Sequence, residues 1–195
     1  MTGEEKTEGA APGGLEMLDR MATLFLYSRF RNPVFDALMP VLSVGANKGI
    51  VYIAASVAMM IFGEPRVKAA GLVMLAGAGA AGVIAEMTVK MFWKRKRPFM
   101  VMPEITPKVP HRRLLKRPSF PSGHSAGYFA AAMSLAVFFP SMAAPLAVVA
   151  ALGAYSRIYN GVHFLSDVVV GSIVGIAFSG LMAWLLAERA VGLFS

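Results

Sequence analysis

The chain has 195 residues, of which 56% are hydrophobic and 15% are charged, and its formal net charge is +8. Soluble domains carry roughly 25% charged residues, whereas residues 125–156 and 168–187 contain no Asp, Glu, Lys or Arg. About 20 apolar residues are enough for a helix to cross a membrane, so the composition excludes an ordinary soluble domain. The absence of cysteine excludes disulfides and thiolate metal sites.

The first segments along the chain are not predicted to cross the membrane. Residues 1–14 are small, polar and acidic, which predicts a disordered tail and no signal peptide. Residues 15–42 are predicted to form an interfacial amphipathic segment, because a helix over 15–31 mixes apolar side chains with charges. Asn32-Pro33 ends this helix, and a second stretch runs over 34–45.

The rest of the chain, residues 43–195, is predicted to be one membrane domain. Pro140 and Pro145 divide the long uncharged stretch, because proline cannot supply the hydrogen bond of a helix interior. The predicted fold is all-α, a polytopic membrane helical bundle of about five transmembrane helices with an N-terminal interfacial helix. The five predicted spans cover residues 43–63, 69–93, 121–140, 143–159 and 164–187.

Five spans would place four of their ends on one side of the membrane. These are the end of the second span, the start of the third, the end of the fourth and the start of the fifth. The unusual polar residues collect at these four points. Charged groups at a membrane span are costly and usually functional, so the sequence predicts one polar site there. The positive charge beside the spans indicates anionic membrane lipid as the partner, and no nucleic-acid motif is present.

Two cations at the end of the second span form the first candidate group. Lys90 and Arg97 are seven residues apart, which predicts that they share one helix face. Arg97 could bind phosphate oxygens through two parallel bonds, while Lys90 would act as a point charge. The alternative, a basic cluster touching lipid headgroups, suits Lys94, Arg95 and Lys96 better than the deeper Lys90.

Pro121-Ser122-Gly123-His124 opens the third span and forms the second candidate group. Serine suits a helix cap, glycine lets a ligand approach the backbone, and amides at a helix start bind phosphate. His124 would then stand over the bound group, where it could pass a proton. Helix capping alone explains this segment equally well.

Ser156-Arg157, His163 and Asp167 form the third group. His163 and Asp167 are four residues apart, which predicts that they are neighbours on one helix. A carboxylate bonded to one ring nitrogen would fix the tautomer and leave the other nitrogen able to attack. The alternative is a structural histidine between the fourth and fifth spans, with Asp167 paired to Arg157.

The histidines are not arranged as metal ligands. His111, His124 and His163 are too far apart for any two to lie within two helical turns, and several cations surround the predicted site. We therefore expect neither a metal nor another cofactor.

Together, Lys90-x6-Arg97-Pro98, Pro121-Ser122-Gly123-His124 and Ser156-Arg157-x5-His163-x3-Asp167 resemble the three-part signature of the type 2 phosphatidic acid phosphatase family. The resemblance implies that residues 43–195 are a membrane phosphatase domain that dephosphorylates lipids without metal. It implies that His163 forms a phosphohistidine, that Asp167 orients His163, and that His124 protonates the leaving oxygen. The implied phosphate-binding residues are Lys90, Arg97, Ser122, Gly123 and Arg157.

The resemblance also bears on the substrate. Bacterial members of this size resemble undecaprenyl diphosphate phosphatases, so a polyprenyl diphosphate is expected. Phosphatidylglycerophosphate or phosphatidic acid is the alternative, and an inert lipid-binding protein on the same fold is a distant one. Soluble vanadium haloperoxidases are similar in the same pocket but lack the spans. The basic loop after the second span favours a multiply charged headgroup.

We expect a multi-pass protein of the cell membrane, but two indications of its orientation conflict. Bacterial relatives face the exterior with this site. The side opposite the site shows only Arg66, Lys68 and Arg189, so the positive-inside rule turns the site toward the cytoplasm. The sequence leaves the orientation, the particular lipid and the oligomeric state open.

Overall fold

The computed structural model describes residues 13–45, 49–85, 94–110, 114–115 and 117–195. Within these ranges the chain forms helices, turns and loops and no strand, which confirms the all-α prediction. A short 3-10 helix, Pro140–Met142, precedes α7. The α-helices are α1 (Gly14–Arg29), α2 (Pro33–Gly45), α3 (Ile50–Phe62), α4 (Pro65–Gly82), α5 (Pro98–Val101), α6 (Gly123–Phe138), α7 (Ala143–Tyr159) and α8 (Leu165–Phe194).

Helices α4, α6 and α8 pack on one another and form the centre of the bundle. Small residues allow this close packing, because their backbones can approach without intervening side chains. A Cβ atom added to Gly175 of α8 would lie only 2.2 Å from the carbonyl oxygen of Ala126 in α6. Nearby, the hydroxyl groups of Ser134 and Ser179 lie 2.5 Å apart, and Ser179 donates to the Ala130 carbonyl.

Three helical segments of the described chain are long and apolar enough to cross a membrane: Pro65–Ala85, Pro140–Tyr159 and Leu165–Phe194. They correspond to the predicted second, fourth and fifth spans. Helices α3 and α6 are shorter, with 13 and 16 residues, so the count of five spans stays a prediction. The last helix extends to Phe194, beyond the predicted limit at 187.

The predicted start of the first span is wrong. Residues 43–45 belong to α2, and α3 begins only at Ile50. Gly49 precedes α3 with a φ of 80°, in the left-handed region that favours glycine. Residues 46–48 and 86–93, the latter at the predicted end of the second span, lie outside the described residues.

Helix α1 packs against α7 and α8. Its polar face bonds the start of α8: Asp19 accepts from the Ser166 amide and Thr23 from the Leu165 amide, both at 2.9 Å. Its apolar face points outward, with exposed fractions of 85% for Leu15, 63% for Leu18 and 57% for Phe25. The predicted helix is confirmed, and the interfacial position of residues 15–42 stays a prediction that the outward apolar face supports.

Helix α2 begins after Asn32, whose side chain accepts a hydrogen bond from the Phe35 amide at 2.9 Å. It packs against α7. Hydrogen bonds from Lys108 and Tyr159 lower the pKa of Asp36 to about 2, so this carboxylate is charged at neutral pH. Asp36 thereby connects α2 with the loop after α5 and with the end of α7.

Candidate active site

A cavity of about 490 Å³ lies where α6 begins and α7 ends. Side chains of α3 and α4, including Tyr52, Ile53 and Leu75, form its apolar wall together with Val83, which directly follows α4. Residues of the three predicted groups therefore face one space, although they come from distant parts of the chain. The polar part of the described lining consists of Arg97, Arg117, Gly123, His124, Arg157 and His163.

His163 lies in the turn between α7 and α8, and Asp167 lies in the first turn of α8. The prediction that both lie on one helix is therefore wrong. The Asp167 carboxylate accepts a bond from the Phe164 amide at 2.9 Å, which caps the helix after His163. The two side chains still meet, because His163 Nδ1 lies 3.4 Å from Asp167 Oδ2, and both are buried.

The turn before His163 requires a glycine. Gly161 has a φ of 71°, in the left-handed region, and an added Cβ would lie 2.5 Å from the Ile105 side chain. The amides of Val162 and His163 both donate to the carbonyl of Arg157, at 3.1 and 3.3 Å. This compact turn places the imidazole beside the cavity.

The other ring nitrogen of His163 contacts Arg97. Nη1 of Arg97 lies 3.0 Å from Nε2 of His163 and also donates to the Val162 carbonyl at 2.8 Å. Arginine has donors and no acceptor, so this contact requires an unprotonated Nε2. The imidazole proton then lies on Nδ1, facing Asp167. The nitrogen beside Arg97 is therefore the one whose lone pair could attack a phosphorus atom.

Arg97 itself is not helical. Its φ of −82° and ψ of 157° are extended, since Pro98 disfavours a helical conformation in the preceding residue. Because Arg97 does not lie within a helix, the prediction that it shares a helix face with Lys90 is wrong. A further donation to the Pro118 carbonyl at 3.1 Å fixes its guanidinium group. Lys90 lies outside the described residues, and its part in the site stays a prediction.

Ser122 caps α6, as predicted. Its Oγ accepts from the amide of Ser125 at 3.3 Å and from the hydroxyl of Ser125 at 2.9 Å. Gly123 and His124 line the cavity at the positive end of the α6 dipole, which favours an anion there. Ser122 is buried and is absent from the described cavity lining, so its direct contact with phosphate stays a prediction.

Arg157 lies buried in the last turn of α7. It contacts the Ser43 hydroxyl and donates to the Ser43 carbonyl at 2.9 Å, which connects α2 with the cavity wall. The alternative pairing of Asp167 with Arg157 is wrong. The arginine bonded to Asp167 is Arg95, with Nη1 and Oδ1 2.9 Å apart.

Arg95 does not lie in a headgroup-binding cluster, as its neighbours in the sequence suggested, and its contact with Asp167 was not predicted. Its guanidinium group lies 3.8 Å from the centre of the Phe164 ring and bridges Asp19 and Asp167. The contact of Ser119, whose hydroxyl donates to Asp167 Oδ2 at 2.6 Å, was not predicted either. Neither residue belongs to the three groups, and an arginine between two lysines carries no local signal of a buried partner.

The lining chemistry suits an oxyanion. The described lining residues with ionisable side chains are arginines, histidines and a tyrosine, and no carboxylate is among them. Arginine binds phosphate oxygens strongly because its donors are charged and planar. The part of the chain that the structure describes holds no group of three His, Cys, Asp or Glu side chains placed to bind a metal ion.

Known proteins resemble this chain in sequence and in fold. The PAP2 superfamily matches residues 68–190. Undecaprenyl-diphosphatase BcrC of Bacillus subtilis (strain 168) is 30% identical over 154 residues, which cover 75% of each chain. The crystal structure of Aquifex aeolicus LpxE matches with a TM-score of 0.66 and 26% identity, over 84% of this chain and 94% of that one. The PAP2-type phosphatidylglycerolphosphate phosphatase of Bacillus subtilis matches with a TM-score of 0.68 and 25% identity, over 89% and 87%. The chain therefore belongs to the PAP2 superfamily, and it is a membrane lipid phosphatase.

Proposed function

We propose that this protein, a multi-pass protein of the cell membrane, removes phosphate from a polyprenyl diphosphate through a phosphohistidine on His163 and without metal. One observation carries the proposal. A single cavity brings His163, His124, Arg97 and Arg157 together and continues along apolar side chains of α3 and α4. A phosphorylated headgroup fits the polar part, while a lipid tail fits the apolar part.

The first chemical step is the attack of His163 Nε2 on the terminal phosphorus. As the nitrogen–phosphorus bond forms, the bond to the bridging oxygen breaks, and His124 gives a proton to that oxygen. Polyprenyl monophosphate leaves. The proton on Nδ1 stays beside Asp167, whose charge stabilises the imidazolium of the intermediate.

Hydrolysis of the intermediate completes the cycle. His124, now unprotonated, takes a proton from water, and the water oxygen attacks the phosphorus while the nitrogen–phosphorus bond breaks. Inorganic phosphate leaves and both histidines return to their starting states. Lys90, Arg97, Ser122, the Gly123 amide and Arg157 stabilise the negative charge of both transition states, which replaces the role of a metal.

The diphosphate is favoured by a cation outside the three groups. Arg117 lines the cavity and is exposed to solvent, so it lies at the cavity mouth. A phosphate monoester needs only the inner cations, whereas a diphosphate carries a second charged group that Arg117 can contact. The similarity to a protein named undecaprenyl-diphosphatase supports the same choice.

The substrate is tested by turnover of purified protein in detergent micelles. The panel contains undecaprenyl diphosphate, phosphatidylglycerophosphate and phosphatidic acid at equal surface concentration. We expect the highest kcat/KM for undecaprenyl diphosphate. A higher value for phosphatidylglycerophosphate would contradict the proposed substrate and leave the phosphatase assignment standing.

The nucleophile is tested by His163→Ala, with the third histidine, His111, as the matched control. We expect His163→Ala to abolish turnover and to bind substrate still, because the cationic cradle remains. His111→Ala should keep wild-type activity, since His111 lies outside the three groups. A His163→Ala variant that kept even about a tenth of the wild-type rate, a loss of only about 1.4 kcal/mol, would contradict the phosphohistidine.

A further inference from the structure

The carboxylate beside the proposed nucleophile is held from several sides. Asp167 Oδ1 accepts from Nη1 of Arg95 at 2.9 Å. Its Oδ2 accepts from the Ser119 hydroxyl at 2.6 Å and from the Phe164 amide at 2.9 Å. These donors fix the rotation of the carboxylate group and keep Oδ2 next to His163 Nδ1. Arg95 provides the ion pair among them.

Arg95 is in turn held by α1. Its Nη2 donates to Asp19 Oδ2 at 2.6 Å, and its Nη1 donates to the Ser166 hydroxyl at 2.7 Å. Asp19 also accepts from the Ser166 hydroxyl at 2.5 Å and from the Ser166 amide at 2.9 Å. The guanidinium stacks on the Phe164 ring. One planar group thus bridges two carboxylates, which a lysine ammonium cannot reproduce with the same geometry.

Neither residue meets the substrate. Arg95 and Asp19 are absent from the described lining of the cavity, which includes Arg97, Arg117 and Arg157, and both side chains are largely buried, 19% and 12% exposed. The bond from Arg95 to Asp167 is the contact through which both residues can influence turnover. The apolar face of α1 points outward, so its bonded polar face is the link between this helix and the site.

We infer that Arg95 and Asp19 are positioning residues, which orient His163 through Asp167. Helix α1, which carries Asp19, therefore contributes to the active site. This inference rests on the proposed function, because it requires His163 to be the nucleophile. At metal sites, removal of an outer partner that orients a ligating side chain lowers activity about 10- to 100-fold, and we expect a loss of this order here. The loss should appear in kcat, while KM stays near the wild-type value because the cavity lining is intact.

The test compares Asp19→Asn with Glu16→Gln, two carboxylate-to-amide changes on the same helix. Glu16 forms only an exposed ion pair with Arg20, at 2.7 Å. We expect Asp19→Asn to lower kcat about tenfold or more and Glu16→Gln to leave it unchanged. Arg95→Ala should lower kcat further, and Arg95→Lys should restore part of the loss. Thermal melting of each purified variant in detergent verifies its folding.

A double-mutant cycle separates positioning from a general structural effect. In an Asp167→Asn background, Arg95→Ala should cost less than about threefold, because the group it orients is already altered. An undiminished loss in that background would overturn the inference, as would a wild-type kcat for Asp19→Asn. A loss confined to KM would also overturn it. If Arg95→Ala does not fold, Asp19→Asn is measured in the Asp167→Asn background instead, and the same criterion applies. An active His163→Ala variant would instead refute the proposed function.

Discussion

The backbone contact between Gly171 and Ser122 offers a quantitative test of how the site is held. Gly171 lies in the second turn of α8, and a Cβ added there would lie 2.4 Å from the Ser122 carbonyl oxygen. Cβ atoms essentially never approach non-bonded heavy atoms closer than 3.0 Å, and contacts of 3.0–3.4 Å are uncommon. In Gly171→Ala, the start of α6 must therefore move by roughly 0.6–1 Å, because backbone cannot yield as a flexible side chain can.

This displacement is large for an active site. Reacting groups need placement within about 0.5 Å, and an error near 1 Å can cost about 100-fold in rate. We expect kcat to fall about 100-fold, since Gly123 and His124 move with the helix start. Overpacking costs about 1–3 kcal/mol, and the better helix propensity of alanine returns up to about 1 kcal/mol. When alanine returns about 1 kcal/mol, the net loss is up to about 2 kcal/mol, and the melting temperature should fall by up to about 8 °C.

Gly180→Ala is the matched control on the same helix. Its added Cβ would meet only the Met133 side chain at 3.6 Å, an ordinary contact. Turnover and melting of the purified variants in detergent give both quantities. Gly175→Ala, whose Cβ would lie 2.2 Å from the Ala126 carbonyl, should lower melting with a smaller loss of kcat. If Gly171→Ala matched Gly180→Ala in both rate and melting, the contact at Ser122 would not be needed to place the site.

Three further predictions concern ligands. Activity should survive excess EDTA, because arginine and lysine side chains supply the charge that a metal would otherwise bring; loss with EDTA and recovery with Mg²⁺ or Zn²⁺ would contradict the site. Vanadate should inhibit competitively by adopting the five-coordinate geometry of in-line transfer, with Arg97, Arg157 and His163 as ligands in a structure of the complex; inhibition unrelated to substrate concentration would count against this. Arg117→Ala should raise KM for a diphosphate lipid about tenfold, a loss of about 1.4 kcal/mol, and leave KM for phosphatidic acid nearly unchanged; equal effects on both lipids would refute the diphosphate role of Arg117.

The local parts of the structure could be predicted from the sequence. The limits of α7 match the predicted span at 143–159. The capping role of Ser122 follows from its position before a helix that begins at Gly123. The alternation of predicted spans also indicated that residues of the three groups lie close together. In the structure, Arg97, Arg157 and His163 face the same cavity. Such features depend on composition, proline positions and spacing, which are written in short stretches of the chain.

The long-range contacts could not be predicted. Arg95 meets Asp19 and Asp167 across separations of 76 and 72 residues, and its neighbours Lys94 and Lys96 suggest an exposed cluster. The spacing of His163 and Asp167 fits a helix. In the structure, the Asp167 carboxylate instead accepts a hydrogen bond from the Phe164 amide at the start of α8, and His163 stays in the preceding turn. A sequence separation of four residues occurs both in a pair on one helix and in a pair across the capped start of a helix. The spacing alone therefore cannot distinguish the two arrangements.

The bond between Asp19 and Ser166 has a consequence for the biosynthesis of the enzyme. The two residues are 147 positions apart, so a ribosome completes α1 long before it makes the partner of that helix. Contacts between such distant positions form late, because closing a long loop costs entropy. A chain still under synthesis therefore contains Arg97 and Arg157 before α1 can contact the start of α8. If Asp19 and Arg95 orient His163 as inferred, hydrolysis reaches its full rate only when the first and the last helix have met.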